Sequence, residues 1–142
     1  SYLSGDRTSI ITVTGSGLAG AVHIQNVVNG SRQGSPGYIG YGSNVYWSTG
    51  ATSAFMNFSL NVPQTFTGFT TYTEPGTENL LVNFYGVNNG TETLLKGNFL
   101  FGASGGKTER FSNTISYQSY RFRPTGANEP NTEYVSEVEF IY

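Results

Sequence analysis

Phe111-Ser112-Asn113, Tyr120-Arg121-Phe122-Arg123 and Val135-Ser136-Glu137-Val138-Glu139-Phe140 fix how this chain is read. In order they read as a strand, an aromatic–basic strand and, beyond a polar loop, a closing strand with a buried-looking carboxylate. Successive side chains of a strand point to opposite faces, so Arg121 and Arg123 share one face. By the same rule Glu137 and Glu139 share a face of the closing strand.

Working outward, strand-like runs fill most of the chain. Ile10-Ile11-Thr12-Val13-Thr14 is β-branched and stops at Gly15-Ser16-Gly17. Val22-His23-Ile24 alternates, and Asn26-Val27-Val28-Asn29-Gly30 reads as a turn. Residues 30–44 form a long Gly/Ser/Pro/Tyr loop, of a length that is usually functional or mobile. Alternation returns in Ala54–Leu60 and Phe66–Tyr72, and Leu80–Gly86 is the most apolar strand and so is expected to be central. Asn88-Asn89-Gly90 then supplies a hairpin dipeptide. Thr93-Leu94-Leu95, Asn98–Phe101 and Thr108–Phe111 continue the pattern. Gly, Thr and Asn interrupt every candidate helix longer than about two turns. Short strands with regular turn signals predict an all-β sandwich or jelly roll. Phe55, Phe58, Leu60, Phe69, Val82, Phe84, Phe122 and Val138 are the expected core, except that Phe55 and Phe58 cannot share a face without a bulge.

Composition narrows the function. With 142 residues the chain reads as a single domain, residues 1–142, with no internal repeat or linker. Ten Tyr, ten Phe and 19 Gly with only 11% charged residues suit strands joined by turns and not disorder. A net charge of −2 gives no broad attraction to nucleic acid or anionic membranes. No apolar run approaches a membrane span. The absence of Cys removes thiol chemistry and Cys-based metal sites.

The ordered segments resemble the discoidin-type family, also called galactose-binding-like or coagulation-factor C-domain. Asn26–Gly30 resembles its N-L-V-D-G turn, Trp47-Ser48 its W-x-S segment, and Phe55–Leu60 its W-I-x-I-D-L strand. Phe66–Tyr72 and Asn88-Asn89-Gly90 resemble the strand and turn that follow. Tyr120–Arg123 resembles R-Y-V-R-I, and Ser136–Phe140 the x-E-I-E-V ending. The resemblance runs over residues 8–142 and implies a jelly-roll β-sandwich of about eight main strands, with ligands held by loops at one end. Asn29 and Ser59 stand where the family has Asp, and the His-plus-two-Arg set of its fucose lectins is missing. Ser4–Ile10 is similar to the start of discoidin-like accessory domains in phage structural proteins.

Two constellations are candidates for chemistry. A sugar site needs an aromatic face and polar groups that meet paired hydroxyls. Tyr38, Tyr41, Asn44 and Tyr46 crowd the Gly-rich loop beside Trp47, Arg121 and Arg123 share a strand face, and Asn128 follows in the next loop. The plainer alternatives stay open: Trp47 as core, the tyrosines as loop packing, the arginines as salt-bridge residues, His23 as structural. The second constellation is implied by the resemblance, in which many relatives hold a structural Ca²⁺ between the turn and the last strand. Its oxygens here are those of Asn26, Asn29, Ser31 and Glu137, one formal charge short because Asn29 replaces Asp. No cofactor is required by this reading, and Asn29 as a simple turn cap is the alternative.

The chain reads as non-enzymatic. Glu137 and Glu139 form no evident glycosidase pair, Ser48, Ser53 and His23 make no nucleophile motif, and no Gly-rich strand-to-helix turn cradles phosphate. The expected function is therefore a carbohydrate-binding module for cell-surface glycans, extracellular or on a virion surface and carried by a parent protein or virion scaffold. The alternative is a protein–protein adhesion or purely structural domain.

Overall fold

The computed structural model describes residues 1–32, 45–73, 80–103, 105–127 and 133–142. Within them lie β1 (Tyr2–Leu3), β2 (Ile11–Ser16), β3 (Leu18–Ala19), a 3₁₀ helix (Ala21–Val28), β4 (Tyr46–Trp47) and β5 (Phe55–Gln64). There follow β6 (Gly68–Thr73), β7 (Leu81–Asn88), β8 (Thr91–Leu100), β9 (Lys107–Arg110), β10 (Tyr117–Pro124) and β11 (Glu133–Ile141). One sheet runs β3-β4-β11-β6-β9, with β1 also on β11, and the other runs β2-β5-β10-β7-β8. The strand pairings are antiparallel. The result is an all-β jelly-roll sandwich.

Period-two alternation builds the core. Met56 and Phe58 of β5, Val82 and Phe84 of β7, and Tyr120 and Phe122 of β10 turn inward and are buried. Phe69 of β6 and Val138 and Phe140 of β11 meet them from the other sheet. Ring contacts join the sheets, with Phe58–Phe140 centroids 5.1 Å apart and Phe69–Phe84 centroids 4.6 Å apart. Each such pair adds about 0.5–1.5 kcal/mol beyond the area it buries. Tyr120 brings its hydroxyl into this core fully bonded, donating to Gln64 O at 2.7 Å and accepting from Phe66 N at 3.0 Å. The parity conflict between Phe55 and Phe58 resolves in favour of Phe58; Phe55 lies half-buried on the outside, and Leu60 packs at the core margin.

The β7–β8 hairpin turns on Asn89 and Gly90, with φ of 51° and 78°. Two consecutive positive φ values are the signature of a type I′ turn, and Asn-Gly tolerates them best. Two sequence expectations are corrected. Residues 21–28 are not a strand and turn but a 3₁₀ helix whose buried residues are Ile24, Val27 and Val28. The three-residue spacing of Ile24 and Val27 matches the 3₁₀ period. Phe111-Ser112-Asn113 lies outside any strand, since β9 ends at Arg110. There Asn113 Nδ2 donates to Phe66 O at 2.9 Å and to Ile115 O at 3.0 Å, using its amide to hold an irregular connection.

The helix also closes an edge. Gln25 Oε1 accepts from Val13 N at 3.0 Å and its Nε2 donates to Ile11 O at 2.6 Å, so one side-chain amide pairs the open flank of β2. The chain ends meet: Ser1 N donates to Tyr142 O at 3.1 Å and Tyr142 N to Ser1 O at 3.0 Å. Among the described residues no helix is long and apolar enough to cross a membrane.

Candidate functional site

The two sheets present different outer faces. On the five-stranded sheet, Arg121 and Arg123 project outward between buried Tyr120, Phe122 and Pro124. Both converge on Glu92: Arg121 Nη1 donates to its Oε2 at 2.5 Å, and Arg123 Nη2 does so at 2.7 Å. Arg121 Nε also donates to Asn57 Oδ1 at 3.0 Å. The guanidinium carbons stand 5.0 and 5.3 Å from the Phe55 ring centre, which explains why that ring stays outside. Arg123 Nη1 reaches the carbonyls of Thr52, Ser53 and Ala54 at 3.4, 3.2 and 3.3 Å and so shapes the loop before β5. Hydrogen bonding from Arg123, helped by Arg121, holds the Glu92 carboxyl below its ordinary range against partial burial. These arginines are committed to a structural cluster.

The six-stranded sheet offers a groove. Glu139, Thr70 and Thr108 line up across β11, β6 and β9. Thr70 and Thr108 share a hydroxyl hydrogen bond of 2.7 Å. Arg32 grips Glu139 through two bonds, Nε to Oε2 at 2.6 Å and Nη2 to Oε1 at 2.8 Å. Its guanidinium lies 5.3 Å from the centre of the Tyr72 ring. The Glu139 side chain is 1% exposed and that of Arg32 52%, so the pair joins the sheet to open solvent. Tyr2, Gly105 and Gly106 complete an open polar groove of about 300 Å³. Gly106 has φ +89°, and a Cβ there would sit 2.6 Å from Tyr72 Cε2, so only glycine lets this loop close on the ring. Burial raises the Tyr72 hydroxyl above its usual value, and the bond to Glu139 raises Arg32. An aromatic ring, a fixed carboxylate–guanidinium pair and threonine hydroxyls form a surface that can exchange hydrogen bonds with a polyol.

Of the residues expected from sequence, the described ones, Tyr46, Arg121 and Arg123, do not come together. Trp47 is core, and Tyr46 beside it turns outward to pack on Tyr134 with centroids 4.7 Å apart. Tyr46 therefore projects from the six-stranded sheet and Arg121 and Arg123 from the five-stranded one, on opposite sides of the sandwich. Tyr38, Tyr41, Asn44 and Asn128 lie outside the described residues. His23 is exposed on the 3₁₀ helix. Of the residues that do meet, Arg32, Tyr72, Thr70, Thr108 and Glu139, only Glu139 was weighed from sequence, as a carboxylate beside Glu137, although the alternation of Thr70 and Tyr72 already placed both on one face.

Of the expected calcium ligands, Asn26, Asn29 and Glu137 each already accept a hydrogen bond through one oxygen. Asn29 N donates to Asn26 O at 3.1 Å, and Asn29 Oδ1 accepts from Ser31 N at 2.9 Å, the hydrogen bond of an Asx turn. Glu137 Oε2 takes the Gly30 amide at 2.8 Å and an ion pair from Arg7. Its Oε1 is buried without a partner. Burial pushes the Glu137 carboxyl up to about 8 against the pull of Arg7 and the Gly30 amide. Among the described residues no cluster of three or more acidic, His or Cys side chains is set to hold a metal. Asn26, Asn29, Ser31 and Glu137 do not fit a calcium ion, because a guanidinium already stands against the one carboxylate.

No protein-family model matches the sequence, and none of the curated proteins matches it. Solved structures do. The family 32 carbohydrate-binding module of NanJ from C. perfringens, in complex with galactose, superposes with a TM-score of 0.64 at 14% identity, covering 96% of this chain and 97% of that one. The chain has the galactose-binding-like fold. The corresponding module of AlyQ, in complex with 4,5-unsaturated mannuronic acid, gives 0.64 at 16% identity over 94% and 95% of the two chains. A module of the Clostridium perfringens GH89 protein, in complex with GalNAc-β-1,3-galactose, gives 0.66 at 11% identity over 98% and 100%.

Proposed function

We propose that this domain binds carbohydrate without catalysis, in the groove on the outer face of its six-stranded sheet. The observation that carries the reading is the Arg32–Glu139 pair beside Tyr72, fixed at one wall of an open polar groove. Vicinal hydroxyls of a sugar match the paired donors and acceptors of guanidinium and carboxylate, while the Tyr72 and Tyr2 rings offer apolar surface to a pyranose. Thr70 and Thr108 add hydroxyls at the groove floor. The sugars bound by similar folds support the class of ligand. An open groove binds a sugar weakly, so the domain works in several copies, displayed on an extracellular protein or a virion and directed at cell-surface glycans.

The test is a glycan array probed with the multimerised domain, with Tyr72→Ala and Arg32→Ala alongside. We expect binding to a restricted set of glycans, competed by soluble sugar, and at least a roughly tenfold loss in either variant, the effect of about 1.4 kcal/mol. Binding that survives both variants moves the site elsewhere, for which combined replacement of Tyr38, Tyr41 and Tyr46 is the next probe. Silence across the array favours the second reading, protein–protein adhesion. That reading rests on an apolar hollow of about 100 Å³ lined by Leu3, Ile10, Leu60, Val62 and Tyr142 among others.

A further inference from the structure

Arg7 is an uncommon residue to find inside a small domain: its side chain is 2% exposed. It fills a cage of oxygens drawn from distant parts of the chain. Nε donates to Gly5 O at 2.8 Å, Nη1 to Leu3 O at 3.3 Å and to Val138 O at 2.5 Å, and Nη2 to Glu137 Oε2. The Arg7 backbone joins the same knot, its N–H donating to Val28 O at 2.9 Å. Three carbonyls and a carboxylate around one positive charge make the donor set of a hard cation. The guanidinium meets them with a rigid fork that cannot lose its charge.

We infer that Arg7 is the structural cation of this domain: its guanidinium clamps the N-terminal segment to β11, with the turn after the 3₁₀ helix tied in through Glu137, as a bound divalent ion would, and the domain takes no such ion here. Charge balance agrees. Arg7 and Arg32 face Glu137 and Glu139, so the cluster is already neutral when all four are ionised. A divalent ion added to it would leave a buried excess of positive charge, which is strongly unfavourable. The inference also has a converse. Cutting Arg7 back to Ala leaves the Glu137 carboxyl and three carbonyls facing an empty space, so at a pH where that carboxyl ionises the variant should acquire a divalent-cation site that the native chain lacks.

The wild type, Arg7→Ala, Arg7→Lys and the double variant Arg7→Ala/Glu137→Gln are melted in chelator and in calcium chloride. The calcium is on the order of 10 mM, above the ~1 mM dissociation constants of weak calcium sites. Elemental analysis is run on the purified wild type. The wild type should carry no metal and melt at one temperature in both buffers. Arg7→Ala should melt roughly 10 °C lower in chelator and recover part of that loss in calcium. The double variant should lose the calcium response, and Arg7→Lys, which keeps a charge in the cage, should show none. Stoichiometric metal in the wild type, a chelator-sensitive midpoint, or an Arg7→Ala variant indifferent to calcium each overturns the inference. If Arg7→Ala does not fold in chelator, refolding on adding calcium supports the inference, and failure in both buffers overturns it.

Discussion

Glu92 and Glu137 should give this protein two opposite responses to pH. The folded-state carboxyl of Glu92 is held down by Arg123 and Arg121, so its stabilising contribution is present above the ordinary value of 4.5 and is lost as pH falls through the lower folded value. That of Glu137 is raised by burial, so its contribution is full below 4.5 and declines as pH climbs toward about 8. Melting temperature followed from pH 3 to 9 should therefore fall at both ends. Glu92→Gln should flatten the acid limb, and Glu137→Gln the decline between about 5 and 8. An unchanged profile in either variant would remove that residue from the account. The sequence showed that Glu137 lies on a strand and is buried-looking, but it could not show why. Its partner Arg7 is 130 residues away, and no local pattern marks an arginine that will be buried by tertiary contact.

At the scale of elements, Gln25 does for β2 what a neighbouring strand would do. Gln25→Ala should cost about 1–2 kcal/mol, the sum of two ordinary hydrogen bonds, and should speed hydrogen exchange at the Val13 amide. Exchange at wild-type rate would mean that β2 needs no such partner. The long strands were legible because alternation runs through several residues: β5, β6, β7 and β10 all fall within one to four residues of the stretches expected. The three-residue pattern at residues 22–24 was not. Val22-His23-Ile24 alternates as a strand does, yet Gly20 starts a 3₁₀ helix there with φ 69°. Phe111 looked like a strand end because its aromatic ring is half-buried against the core, while its backbone has already left the sheet.

For the molecule as a whole, the aromatic core spans both sheets through a connected set of rings. Phe84 contacts Phe69, Phe111, Tyr120, Phe122 and Phe140, so Phe84→Ala should destabilise the domain by about 3–5 kcal/mol in a denaturant titration. A loss below about 1 kcal/mol would mean that the surrounding rings collapse into the space. Sandwich architecture followed from patterning, but the site did not, because patterning assigns a residue to a face and not to a sheet. Tyr46 and Arg121 are both outward residues, and only the strand order reveals that they look away from each other. The meeting of Ser1 and Tyr142 has a mechanical meaning of its own. Any polypeptide on either side enters and leaves at one corner, so tension along it passes by the sandwich instead of through it. Drawn apart, the two ends would peel β1 from β11 one bond at a time, a low-force opening that would carry Tyr2 away from the groove it lines.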